Sequence, residues 1–162
     1  MENLTAPINE ARFWSKVDKT DGCWNWTAAI LNGYGRFGVW RDGKQRSGLA
    51  HRVSYELAGQ SIPQGMFLDH ICRNRACVNP AHLRVVNNKQ NLENHGGPTA
   101  ASTSGVRGVS LHRPSMLWRA CATSNGRSHN AGYFKTVAEA ESAVIALRNR
   151  LHTHNNADRQ DS

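Results

Sequence analysis

Two cysteines and two histidines fall inside one short stretch of this chain, LDHICRNRACVNPAHL, residues 68–83. Cys72 and Cys77 stand at C-x4-C spacing, and His82 follows after another four residues. A loop of that length can wrap one tetrahedral ion, with Asn79-Pro80 as the turn between the last two ligands. Structural zinc takes four protein ligands, and the fourth candidate is Cys23, in the polar turn DGCWNW. Cys23, Cys72, Cys77 and His82 then make a Cys3His site; buried thiols without metal are the alternative. Cys121, within W-R-A-C-A, reads as a small core residue. Four cysteines could form two disulfides, but their spacing beside histidines points to a metal site in a reducing compartment.

A chain of 162 residues makes one ordinary domain or two small ones. Small domains bury proportionally little surface, so a metal crosslink helps them. The net charge of +8 favours a polyanionic partner, most simply nucleic acid, although it also suits a plain solvated basic surface. No apolar run approaches the roughly 18 residues of a membrane span, and MENLTAPINEARF lacks the apolar centre of a secretory signal.

Composition changes at GGPTAASTSG, 96–105, which reads as a flexible linker. Before it, FWSKV suggests a short helix, CWNW a strand, and GYGRFGVW a strand leading into a turn at RDGK. AHRVSYELAG predicts a helix ending at Gly59, and IPQGMFLDH a turn followed by an extended segment. NNKQNLEN predicts a short helix capped by Asn87 or Asn88. After the linker, GVRGVSLHR, LWRACATSNG and RSHNAGYF read as three strands, with Asn125-Gly126 as a hairpin turn. Thr136 to Glu139 is a capping box. It opens a helix whose Ala140, Val144, Leu147 and Leu151 would lie on the sheet. The expected organisation is α+β: a first domain over 1–95, the linker 96–105, a module over 106–155 and a polar tail over 156–162.

If the Cys3His site is full, His70 is left over, two residues from a ligand and next to Asp69. It is either an ordinary hydrogen-bonding histidine or a group that the zinc loop holds rigid for catalysis. Asn91 and His95 on the following helix share one face at i, i+4. A strand histidine, a loop and a helix carrying Asn or His form a layout for holding one divalent ion over a phosphate.

AHR (50–52), IPQG (62–65), LDHICRNRACVNPAHL and NKQN resemble the HNH, or His-Me finger, endonucleases of phages and mobile introns. The ligand spacing is similar to that of the His-Cys box homing endonucleases. The resemblance covers about residues 12–95 and implies a ββα-metal nuclease domain with a structural zinc on Cys23, Cys72, Cys77 and His82. It further implies His70 as general base and Asn91 as ligand of a catalytic divalent ion, with Asp69 and His95 as further candidate ligands. An arginine on the scissile phosphate is implied too; Arg46 and Arg52 are the candidates carried forward, with Arg36 competing. Asparagine is a neutral oxygen ligand, so Mg²⁺ suits it better than zinc does.

The stretch from Ser104 to Val144 resembles an AP2-type DNA-binding domain through G-V-R-G-V, W-R-A, the N-G-R hairpin, G-Y-F and A-E-A. In that family a three-stranded sheet enters the major groove. The resemblance assigns Arg107, His112, Arg113, Trp118, Arg119 and Arg127 to DNA contact, with core packing as the other reading of Trp118.

The combined expectation is a metal-dependent endonuclease acting on double-stranded DNA, with no membrane role, inside a phage-infected bacterial cytoplasm. The absence of a long dimerisation helix leans toward a monomer. A non-catalytic zinc-stabilised DNA-binding protein is the reading from a different class. An RNA-binding zinc protein is weaker, since RNP-type aromatic strands are lacking.

Overall fold

A computed structural model describes residues 9–41, 43–94 and 97–159. Contacts divide the chain into two compact units, Met1–Val86 and Asn87–Ser162.

The first unit opens with α1 (Glu10–Trp14), capped by the Asn9 side chain accepting from the Arg12 N–H. A two-stranded ribbon follows, β1 (Val17–Lys19) against β2 (Trp24–Trp26). Then β3 (Ile30–Leu31), β4 (Tyr34–Arg41) and β5 (Lys44–Leu49) form an antiparallel sheet with β4 in the centre. Alternation along β4 buries Phe37 and Val39, which join Phe13, Trp26, Ala50, Val53 and Val78 in one core. The core rings meet edge to face, Phe13 on Phe37 at 5.1 Å and Trp26 on Phe37 at 5.9 Å, the arrangement aromatic quadrupoles favour. Gly35 is required there: a Cβ would come within 2.6 Å of the Trp26 ring and 2.9 Å of Ala50. Next, α2 (Ala50–Leu57) ends just before Gly59, whose φ of +75° carries the chain out of the helix. The unit closes with β6 (Phe67–His70) antiparallel to β7 (Leu83–Val86), and the cysteine loop runs between them.

The second unit begins with α3 (Asn88–Glu93), closed by a reciprocal capping box between Asn87 and Gln90. Its sheet has the order β10-β9-β8, from β8 (Val109–His112), β9 (Leu117–Ser124) and β10 (Arg127–Phe134). The β9–β10 turn places Asn125 and Gly126 at φ +52° and +72°, as a tight hairpin turn of this hand requires. The capping box of Thr136 and Glu139 opens α4 (Val137–Leu151), which packs Ala140, Val144 and Leu147 on Val109, Ala120 and Ala122.

Three expectations need correction. The tail is built into the fold through Arg159: Asn155 is fully buried, and Asp158 pairs with the buried Arg148 at 2.5 Å. A carboxylate opposite a buried guanidinium satisfies a charge that burial would otherwise penalise. Cys121 is not a core residue, because the register of β9 turns it to the side opposite Ala120 and Ala122, toward Asn130. Finally, α3 makes its contacts with the second unit. The Glu93 carboxylate accepts from the Thr153 and His154 N–H groups at 2.8 and 3.1 Å.

Candidate active site and metal centre

Backbone pairing brings the four metal-ligand candidates together. Strand β2 is stitched to the cysteine loop by Trp26 N–H to the Ala76 carbonyl (2.9 Å) and Val78 N–H to the Trp24 carbonyl (2.8 Å). The Asn79 amide donates to the Gly22 carbonyl at 3.0 Å, which holds the Cys23 turn against the same loop. The ligand atoms of Cys23, Cys72, Cys77 and His82 all lie within 4.8 Å of one another. Cys23 Sγ and Cys77 Sγ are 3.6 and 3.7 Å from His82 Nδ1. Zinc bonds of about 2.3 Å to sulfur and about 2.0 Å to nitrogen give a tetrahedral edge of about 3.5 Å, so the set can hold a zinc ion.

The thiols show the same need for a cation. Hydrogen bonding with the Cys72 thiol pulls Cys77 down to about 4, with the Asn79 N–H and His82 contributing, whereas the Cys77 contact and burial push Cys72 up. Two sulfurs this close cannot both ionise unless a positive ion lies between them. The Asn79 N–H, 3.4 Å from Cys77 Sγ, supports the thiolate.

His70 ends β6 and is 5% exposed. Its Nε2 lies 3.0 Å from the Cys77 carbonyl. A carbonyl only accepts, so Nε2 carries the proton and Nδ1 is the lone-pair nitrogen. Burial holds His70 below the ordinary imidazole range, partly countered by that hydrogen bond. The backbone of a metal-ligand candidate thus orients the spare histidine. Ser54 fastens the same loop to α2 by donating to the Val78 carbonyl.

His51, on α2, packs its ring 4.7 Å from that of His70, and Tyr34 lies 5.6 and 6.0 Å from the two. Burial, with His70 and Arg52 nearby, lowers His51 to about 3, so it is neutral. The arginines distribute unequally. Arg75 lies over the Tyr34 ring at 5.4 Å, and its charge reaches His70. Arg36 shares the Tyr34 face of β4, and its Nε is buried with no hydrogen-bond partner. Arg52 acts on His51. Arg46, by contrast, pairs with Val39 on the other face of the ribbon, so the register turns it away from His70. Arg75 was missed in the sequence; its place between the two loop cysteines was the available signal.

The β6 alternation turns Asp69 to the face opposite His70. There Arg84, its cross-strand partner, holds its Oδ2 through Nη2 at 2.9 Å and Nε at 3.1 Å. A role for Asp69 on an ion therefore requires exchange of Arg84. Asn91 is a half-buried residue of α3, in the second unit, and His95 lies outside the described residues.

On the second sheet, His112 and Arg119 share the face away from α4, with Tyr133 against His112 at 4.9 Å. Arg113 and Arg127 are exposed at strand ends. Trp118 is a correction: it faces α4 and packs on the core cluster, because β9 alternation puts it in line with Ala120. Arg107 is another, since its guanidinium donates to the Glu93 and Leu92 carbonyls at 3.3 and 3.2 Å and closes the end of α3.

Comparison with known proteins adds the family. An HNH endonuclease family model matches residues 48–93, a span holding α2, the cysteine loop, His70 and Asn91. Protein 3.8 of Escherichia phage T7 is 30% identical over 102 residues, 63% of this chain and 83% of that protein. The chain belongs to the family of Protein 3.8. Further relatives are Protein 2.8 of the same phage, 36% identical over 73 residues, and the uncharacterized gene 5.3 protein of Enterobacteria phage T3, 33% identical over 63 residues. The chain covers 48% and 62% of those two proteins. No solved structure matches it. The HNH match includes residues on both sides of the division at Val86 and Asn87. No described helix is long and apolar enough to cross a membrane.

Proposed function

We propose that the chain is a metal-dependent endonuclease that hydrolyses phosphodiester bonds in duplex DNA, with His70 as general base. The observation that carries this reading is His70 itself: buried, neutral, inside the HNH match, and fixed through Nε2 by the backbone of a metal-ligand candidate. Nδ1 takes the proton from an attacking water. Arg75 and Arg36 are better placed than Arg46 to hold the scissile phosphate, with Arg52 as a further cation beside His51. Asn91 holds a divalent ion, Mg²⁺ by ligand type, which when bound stabilises the leaving oxygen as a Lewis acid. The zinc on Cys23, Cys72, Cys77 and His82 keeps the loop rigid and takes no part in the chemistry.

The second unit serves as a DNA-binding module of AP2 type. Its contact face is the outward side of the sheet, with His112, Arg119 and the exposed Arg113 and Arg127. The similarity to phage proteins supports a site of action inside an infected bacterial cell.

Supercoiled plasmid is the test substrate. Conversion to the nicked or linear form is expected with Mg²⁺, arrest with brief EDTA, and recovery when Mg²⁺ is returned. Cleavage that continues unchanged after EDTA would contradict a loosely held catalytic ion.

A further inference from the structure

The second unit holds a cavity of about 1090 Å³. It is lined by α3, the segment joining α3 to β8, the start of β8, the β9–β10 turn and His152 just past α4. Leu92, Val106 and Val109 supply apolar wall, and Leu92 is 56% exposed. Two polar side chains in the lining, Glu93 and His152, are each 4% exposed. Each carries a buried atom with no hydrogen-bond partner among the described residues, Glu93 Oε1 and His152 Nδ1.

Both atoms are acceptors. His152 Nε2 lies 3.0 Å from the Thr123 carbonyl. That carbonyl only accepts, so Nε2 carries the proton and the neutral ring keeps a lone pair on Nδ1. Burial opposes the charge of Glu93, but the Thr153 and His154 N–H groups bonded to Oε2 hold it below the ordinary carboxylate range. Beside Oε1 stands the Lys89 ammonium, an ion pair at 3.5 Å that lies outside hydrogen-bond geometry. A buried acceptor left unmet is costly, and a cavity it lines is where a donor can enter. An apolar cavity with a few convergent polar groups is the usual form of a small-ligand site.

We propose that this cavity binds a guanine base, with Glu93 Oε1 and His152 Nδ1 accepting from its N1–H and N2–H groups. Guanine binding here does not depend on the endonuclease reading. Two neighbouring acceptors select among the bases by their pairing edges. Adenine and cytosine set one amino donor beside a ring-nitrogen acceptor, and thymine sets one N–H between two carbonyls. Guanine places two donors side by side. Lys89 favours a neutral donor, because a guanidinium or ammonium ligand would meet a like charge beside Oε1. The apolar walls suit the faces of a purine, and a cavity of this size admits a whole nucleotide. The base can come from a free nucleotide or from an unpaired guanine in a strand.

The test is calorimetry on the full-length, zinc-loaded protein without Mg²⁺, at about pH 8, above the ordinary imidazole value. The probes are GMP, IMP, AMP and agmatine. IMP carries the same phosphate as GMP and lacks only the N2 amino group, so their difference reports that donor alone. GMP is expected to bind about tenfold more tightly than IMP, the scale of one buried acceptor left unmet, with AMP no tighter than IMP. Glu93→Gln and Leu92→Arg should each abolish the GMP preference. Leu92→Arg leaves the Glu93 and His152 bonds untouched, so it carries the test if circular dichroism shows that Glu93→Gln does not fold. Thymine oligonucleotides with one central guanine or hypoxanthine separate the two sources. Discrimination among mononucleotides means that a free nucleotide suffices, and discrimination confined to oligonucleotides assigns the site to a strand. Absence of guanine discrimination in both series overturns the proposal. A preference for agmatine overturns it too, as does a guanine preference unchanged in every folded variant.

Discussion

His70 is neutral because it is buried, and its proton sits on Nε2 because the Cys77 carbonyl can only accept. Both facts bear on rate. A base whose proton affinity lies below the ordinary imidazole value of about 6.5 stays active at pH values where a solvated histidine is already charged. The acid limb of the nicking rate is therefore expected with its midpoint below 6.5, and a midpoint at or above it would contradict the assigned environment. Asn91→Ala should reduce nicking by about a hundredfold or more, the scale of losing one organised catalytic group, while leaving the zinc in place. Equal rates in wild type and N91A would remove Asn91 from the site. At this scale the sequence was only partly legible. Cys23, Cys72, Cys77, His82 and the neighbouring His70 could be picked out by spacing and chemistry. The neutral His51 and the Asp69–Arg84 pair could not, because each depends on which face of a strand or helix a side chain takes.

Among the elements, those with strong local signals were readable. Asn87 as a cap, Gly59 as a helix exit, the Asn125-Gly126 turn and the capping box of Thr136 and Glu139 each encode their conformation within a few residues. Strand β7 was not. Leu83 to Val86 is a strand because Phe67 to His70 lies beside it, and that pairing spans the cysteine loop. The same holds for β1, whose partner β2 supplies its order. Two substitutions test the elements directly. Thr136→Ala removes the hydroxyl that accepts from the Glu139 N–H and should cost about 1 kcal/mol by denaturant titration; no loss would mean that the cap is idle. Cys77→Ser should lose stoichiometric zinc. Zinc in small domains contributes on the order of 10 kcal/mol, and even about 3 kcal/mol lowers the thermal midpoint of such a unit by more than about 10 °C. An unchanged midpoint in C77S would mean that the loop stands without metal.

Charge and burial also set how the stability of the protein depends on pH. His51 is lowered to about 3 when folded and returns to about 6.5 when unfolded. The unfolded chain therefore binds the extra proton, and stability falls as pH drops from about 6.5 toward 3, by up to about 1.4 kcal/mol per pH unit from this group. A stability that is flat across that window would contradict the burial of His51. The net charge of +8 was legible from composition. The position of the division was not, because Glu93 and Asn94 reach groups about sixty residues away at 153–156, and nothing local signals that. The central claim is that one histidine, held by a zinc loop, cuts DNA. Plasmid nicking in Mg²⁺ by wild type and His70→Ala, with zinc measured in both, tests it most directly. The account predicts that H70A retains its zinc and fold and loses nicking by about a hundredfold to ten-thousandfold. Equal nicking by the two zinc-loaded proteins would contradict it.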